Sequence, residues 1–233
     1  MQSAKDLCAE IIEKIKSMAN PRNVEGMARF GINSKNTYGV QVFKLRAIAK
    51  EAGKNHELAQ LLWDSQIHEA RIIAAYVEDP KIVTEAQMEK WALDFDSWDV
   101  CDQVCSNLFD RTEFAWKKAF EWSGRKEEFV KRAGFVIMAV LASHDKKAPD
   151  SKFVELLPII KRESCDERNY VRKAVNWALR GIGKRNMDLN KAAIAMAKDI
   201  AKIDSKTAHW IAADAIRELE AQKTIERICR KNK

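Results

Sequence analysis

Cysteine is scarce in this chain. Five occur in 233 residues, an odd number at irregular spacing, which gives no disulfide framework. Glycine and proline are sparse too, at eight and four. Between Gly53 and Gly124 there is no glycine, and Pro80 is the sole proline. Hairpins and tight turns need such punctuation, so a strand-rich fold is excluded. Long apolar runs are missing as well. The longest, Ala133 to Ala142, is about half the roughly 20 residues of a membrane-spanning helix. Histidine is limited to His56, His68, His144 and His209, and no second Cys/His pair of zinc-like spacing accompanies Cys101 and Cys105. A glycine-rich phosphate loop and a serine elbow are also absent. No metal and no cofactor are therefore expected. Met1 to Asp6 lacks the apolar core of a signal peptide, and with the unpaired thiols this predicts a cytoplasmic protein.

What is present has helical periodicity. Leu7, Ile11, Ile12, Ile15 and Met18 recur at three- and four-residue spacing and make one stripe. Ser3 with Asp6, and Thr84 with Gln87, have the spacing of capping boxes. The pattern predicts an all-α chain of about twelve to fourteen helices. Among them are segments at 97–109, 126–143, 167–183 and 205–220. Pro158 predicts a helix over 151–164 that kinks or starts late.

A loose repeat runs through these helices: a basic or polar residue, an alanine, then bulky apolar residues. It appears at Glu69-Ala70-Arg71, Lys131-Arg132-Ala133 and Arg172-Lys173-Ala174, the last two 41 residues apart. That period suits HEAT-type helix pairs, which stack into a solenoid with one long concave face. Ala133 and Ala174 are expected to allow close packing while the basic side chains before them point outward. One domain over 1–233 is expected, with an irregular helical bundle as the alternative.

Charge is unevenly distributed. Lys161 to Lys191 holds nine Lys/Arg against four acids, whereas Lys81 to Asp110 holds seven acids against two lysines. A basic region beside an acidic one suits a phosphate-gripping surface with a carboxylate set into it. The plain alternative is a solvated charged face. Trp98-Asp99-Val100-Cys101-Asp102 sharpens the first reading, because Trp98 and Asp102 are four residues apart and share one helix face. Arg132 and Trp177 each sit in an apolar helical segment flanked by cations. Asp99 reads as an acid at a helix start, favoured by the dipole. Cys101 and Cys105 read as packed thiols. Trp63, Trp91, Trp116, Trp122 and Trp210 are assigned to the core or the surface.

These motifs resemble the DNA alkylation repair enzyme family, the AlkD-type HEAT-like DNA glycosylases. Ser97 to Asp102 is similar to the family's Trp-Asp-x-x-Asp segment, whose second acid is catalytic; here that is Asp102. Lys131-Arg132-Ala133 resembles the segment that brings an arginine to the active cleft. Lys173 to Arg180 resembles the one carrying the second tryptophan, Trp177, and a phosphate-facing arginine. Met27 to Phe30, Gly39-Val40 and Lys44-Leu45-Arg46 fit the opening helices, with Phe30 where some members have tyrosine. The likeness covers about residues 20 to 220.

The resemblance implies a monofunctional glycosylase that hydrolyses the N-glycosidic bond of cationic alkylated purines, such as 3-methyladenine and 7-methylguanine, in duplex DNA. It implies Asp102, Trp98 and Trp177 as catalytic residues, and Arg132, Lys173, Arg180, Phe30 and Lys131 as DNA contacts. It also implies recognition with the lesion left in the stack. The chain is expected to act as a monomer, without metal, cofactor or membrane. A non-catalytic HEAT protein that binds damaged or branched DNA is the main rival, and a protein–protein scaffold the third reading.

Overall fold

The computed structural model describes residues 3–231, with side chains through residue 230; Met1 and Gln2 of the N-terminal stretch lie outside the described residues. Among the described residues there are fourteen α-helices, one short 3-10 turn and no strand. In chain order the helices are α1 Ala4–Ser17, α2 Pro21–Arg29, α3 Val42–Ala52, α4 His56–Asp64, α5 His68–Val77, α6 Glu85–Leu93 and α7 Trp98–Asn107. There follow α8 Ala115–Ser123, α9 Glu128–His144, α10 Asp150–Arg162, α11 Asn169–Gly183, α12 Met187–Ile200, α13 Lys206–Leu219 and α14 Gln222–Lys231. The 3-10 turn, Phe109–Arg111, follows α7. The all-α expectation holds.

Local chemistry sets the helix ends. Ser3 Oγ accepts from the Asp6 amide at 3.1 Å, and Thr84 Oγ1 accepts from the Gln87 amide at 3.1 Å. The second predicted box is half made, because the Gln87 side chain donates to Glu78 at 2.8 Å instead of turning back to Thr84. Pro158 lies inside α10 without delaying its start. The carbonyl that loses its partner belongs to residue 154, whose side chain is exposed, so water is at hand to satisfy it.

The chain forms two compact units, residues 1–113 and 114–233. In the first, α5 is the central helix and packs against α1, α3, α4 and α7. Its run His68 to Ala75 is buried throughout, charged residues included. Beside it Trp63 stacks on Trp91 with centroids 4.1 Å apart, and Phe95 meets the Trp63 ring edge-on. In the second unit α9 is central, buried from Val130 to Ala142 and packed against α8 and α11. Trp63, Trp91 and Trp122 are core, Trp116 is half-buried and Trp210 is exposed, as the sequence reading allowed.

Close helix packing rests on glycine as much as on the buried Ala133 and Ala174. A Cβ on Gly134 would lie 2.6 Å from the Ser123 amide nitrogen and 2.9 Å from the Trp122 carbonyl carbon. Both are backbone atoms of α8 that cannot swing aside. Alanine raises helix propensity by about 1 kcal/mol, but overpacking a core costs about 1–3 kcal/mol. Gly134→Ala should therefore lower the melting temperature, and a calorimetric scan showing an increase would refute this contact.

Candidate functional site

α7 presents two faces of opposite character. Val100, Cys101, Val104 and Cys105 are fully buried, while Trp98 and Asp102, one turn apart, are half-buried on the other side. Burial pushes the Cys105 thiol well up, so these cysteines are packed apolar groups, as expected. The Trp98 indole is held in place because its Nε1 donates to the Phe30 carbonyl at 3.0 Å. The Phe30 ring itself is 74% exposed. Ring and carboxylate thus leave the same helix side by side, as their spacing predicts.

Next to Trp98 opens a groove of about 670 Å³, walled by Met27, Phe30, Ile32, Val40 and Ile72. Gly39 keeps its wall in place. It has a φ of +74°, and a Cβ there would lie 2.5 Å from the Asn20 carbonyl. The buried Glu69 carboxylate accepts from the amides of Tyr38, Gly39 and Val40 and fixes this turn. Asp99, which also lines the groove, is more than a helix-start acid. Its Oδ2 pairs with His68 Nε2 at 2.8 Å across α7 and α5.

Burial alone would lower the His68 pKa. The Asp99 hydrogen bond and the charges of Asp99, Glu69 and Asp96 outweigh it and raise the pKa above the ordinary 6.5. The folded protein therefore binds the proton more tightly than the unfolded chain. The stability from this pair is complete below pH 6.5 and is lost as pH rises through the folded value. Thermal melts of the protein and of His68→Gln, taken between about pH 6 and pH 9, should converge at the alkaline end. A gap independent of pH would rule out a charged pair.

In the second unit the expected outward cations mostly turn inward, and this corrects the sequence reading. Lys131 is only 8% exposed and Arg132 only 6%. Lys131 Nζ pairs with Glu163 and, at 2.9 Å, with Asp166. Burial would raise the Asp166 pKa, but hydrogen bonds from Arg168 and Lys131 hold it at about 2. Arg132 Nη1 donates to the Tyr170 carbonyl at 2.6 Å and ties α9 to the start of α11. The physical reason is common to both. A long side chain on a helix that is covered all round has no solvent face to reach, so it needs a partner inside.

Arg180 is half-buried and also engaged. A stripe on α11 at four-residue spacing meets a matching stripe on α13. The Arg172 guanidinium lies 5.2 Å from the Trp210 ring centroid, and Asn176 donates to Asp214 at 2.7 Å. Arg180 bonds Glu218, and Lys184 bonds the same acid at 2.8 Å. Lys173 is exposed, while Trp177 is half-buried and lines a basic pocket. Of the five predicted DNA contacts, Lys173 and Phe30 are open to solvent; Lys131, Arg132 and Arg180 hold helices together.

The sequence profile described as "DNA alkylation repair enzyme" matches residues 11–219. The chain belongs to this family. It is 25% identical over 194 residues to the uncharacterized protein Lin0241 of Listeria innocua serovar 6a, covering 82% of this chain and 84% of that one. Lmo0209 of Listeria monocytogenes serovar 1/2a, also uncharacterized, is 24% identical with the same coverage. Among solved structures, one from a new family of proteins related to the HEAT-like repeat DNA glycosylases, with affinity for branched DNA structures, superposes with a TM-score of 0.75. It is 20% identical and covers 90% of this chain and 94% of its own. The family's HEAT-like repeat fold is thus the fold of this chain.

No local pattern signals the pairing of His68 with Asp99, or the placing of Lys146, Lys223 and Arg227 around the pocket of Trp177. These contacts join residues 31 or more positions apart, beyond the reach of helical spacing. Among the described residues no three His, Cys, Asp or Glu side chains come together as metal ligands. No described helix is long and apolar enough to cross a membrane.

Proposed function

We propose that this protein is an alkylpurine DNA glycosylase, a monomer that acts in the cytoplasm on cationic lesions such as 3-methyladenine and 7-methylguanine in duplex DNA. One observation carries the reading: Asp102 and the anchored Trp98 indole leave the same partly open face of α7. Alkylation makes the purine a cation and a good leaving group. As the bond from the base to C1′ breaks, its electron pair stays with the base, which departs neutral, and positive charge grows on the sugar. A fixed carboxylate nearby stabilises that charge and orients the water that adds to C1′ and then sheds a proton to solvent. No strong general acid is required, so His68, committed to Asp99, takes no part in the reaction.

Indole faces favour a cation by roughly 0.5–2 kcal/mol, which supports selection of a charged base over a normal one. Trp177 is the second indole that the resemblance implies. Lys173 is the exposed cation best suited to phosphate. Arg132 and Arg180 act by holding α11, the helix that carries Trp177 and Lys173. Incubation with methylated duplex DNA, followed by chromatography of released bases, tests the reading directly. No free 7-methylguanine from folded protein would reject it.

The second reading is a protein that binds branched DNA without catalysis. It is favoured by the solved structure of similar fold, which has affinity for branched DNA. A pure binder should gain affinity when Asp102 is neutralised, because an acid in a phosphate groove repels its ligand.

A further inference from the structure

We propose that a pocket within the second unit, formed by the end of α9, α11 and α14, receives a single unpaired nucleotide of DNA. The inference rests on the DNA-binding reading above and extends it at Trp177, which the two share. The cavity measures about 330 Å³, near the lower end of small-ligand pockets. One nucleotide fits such a space, whereas a base pair with both of its backbones does not. Trp177 and Gly181, four residues apart on α11, line it together with Ser143 and Lys146 after α9 and with Lys223, Thr224 and Arg227 of α14.

The lining combines an aromatic face with excess positive charge. Five cations, Lys146, Lys184, Arg185, Lys223 and Arg227, stand against the single acid Glu218. Two of the five are committed. Lys184 bonds Glu218 at 2.8 Å, and Arg185 donates to the carbonyls of Ala142 and Ala148. Lys146, Lys223 and Arg227 have no acid within ion-pair distance among the described residues. Lys223 and Thr224 also stand in the first turn of α14, where the helix dipole favours an anion. Uncommitted cations around an indole match the chemistry of a strand without a partner. Its base stacks on the ring and its phosphate is neutralised beside it.

The test uses the full chain and two fluorescent DNAs, a blunt duplex and the same duplex with a single-stranded arm. The arm is made with and without a terminal phosphate. The wild-type protein should bind the armed DNA more tightly. The double variant Lys223→Glu/Arg227→Glu should lose about tenfold in affinity for armed DNA, with its salt slope reduced by about 0.7 per lost contact. Its affinity for the blunt duplex should stay within about twofold. Lys146→Ala lies outside α14 and should show a smaller loss of the same kind if the double variant disturbs that helix. A preference that needs the terminal phosphate assigns the pocket to strand ends; one that does not assigns it to internal nucleotides. Equal losses on both DNAs, no loss on either, or no wild-type preference for the arm would overturn the proposal. Release of 7-methylguanine, measured alongside, separates the two ideas. An arm preference without base release leaves the pocket standing and removes the glycosylase.

Discussion

Asp102→Asn should cut release of 7-methylguanine from methylated duplex DNA by about 100- to 1,000-fold, the usual cost of one preorganised electrostatic partner. Asparagine keeps the shape and removes the charge, so the loss reports the carboxylate's combined stabilisation of the cation and orientation of the water. The fold should be retained, because the substitution is isosteric and the half-buried Asp102 leaves α7 on the side opposite its buried residues Val100 and Val104. Binding to the same DNA should persist or tighten. Single-turnover kinetics with saturating enzyme isolate the chemical step from binding. Turnover within about threefold of wild type would remove Asp102 from the mechanism.

The second large effect concerns stability. Lys131→Met should cost about 3 kcal/mol, because it leaves Glu163 and Asp166 buried without their shared cation. The cost falls at the low end of the usual range since Arg162 still pairs with Glu163 and Arg168 with Asp166. In a chain of this length that is a fall of about 6–12 °C in Tm. The pH dependence follows from the depressed Asp166, whose pKa of about 2 lies below its ordinary 3.8. Its contribution is complete above pH 3.8 and is lost as pH falls toward 2, so wild type and variant should converge in acid. The same variant separates structure from DNA contact. A residue that neutralises a phosphate would flatten the log–log salt dependence by about 0.9 on removal. An unchanged slope together with a lower Tm fits the buried pair, and the reverse result would return Lys131 to the DNA surface.

The sequence by itself determined the helices and the face of α7. Scarce glycine and proline, stripes at three- and four-residue spacing, and caps such as Ser3 act within one or two turns, so they can be read locally. The same holds for Trp98 and Asp102, whose common face is a property of one helix. Tertiary structure alone decided which charges are available. Lys131, Arg132 and Arg180 look in sequence like Lys173, yet their partners Glu163, Asp166, Tyr170 and Glu218 lie 32 to 38 residues away. A charged side chain is free or committed according to what the neighbouring helix brings to it. Electrostatic pairing acts through space, and the spacing along one helix does not record it.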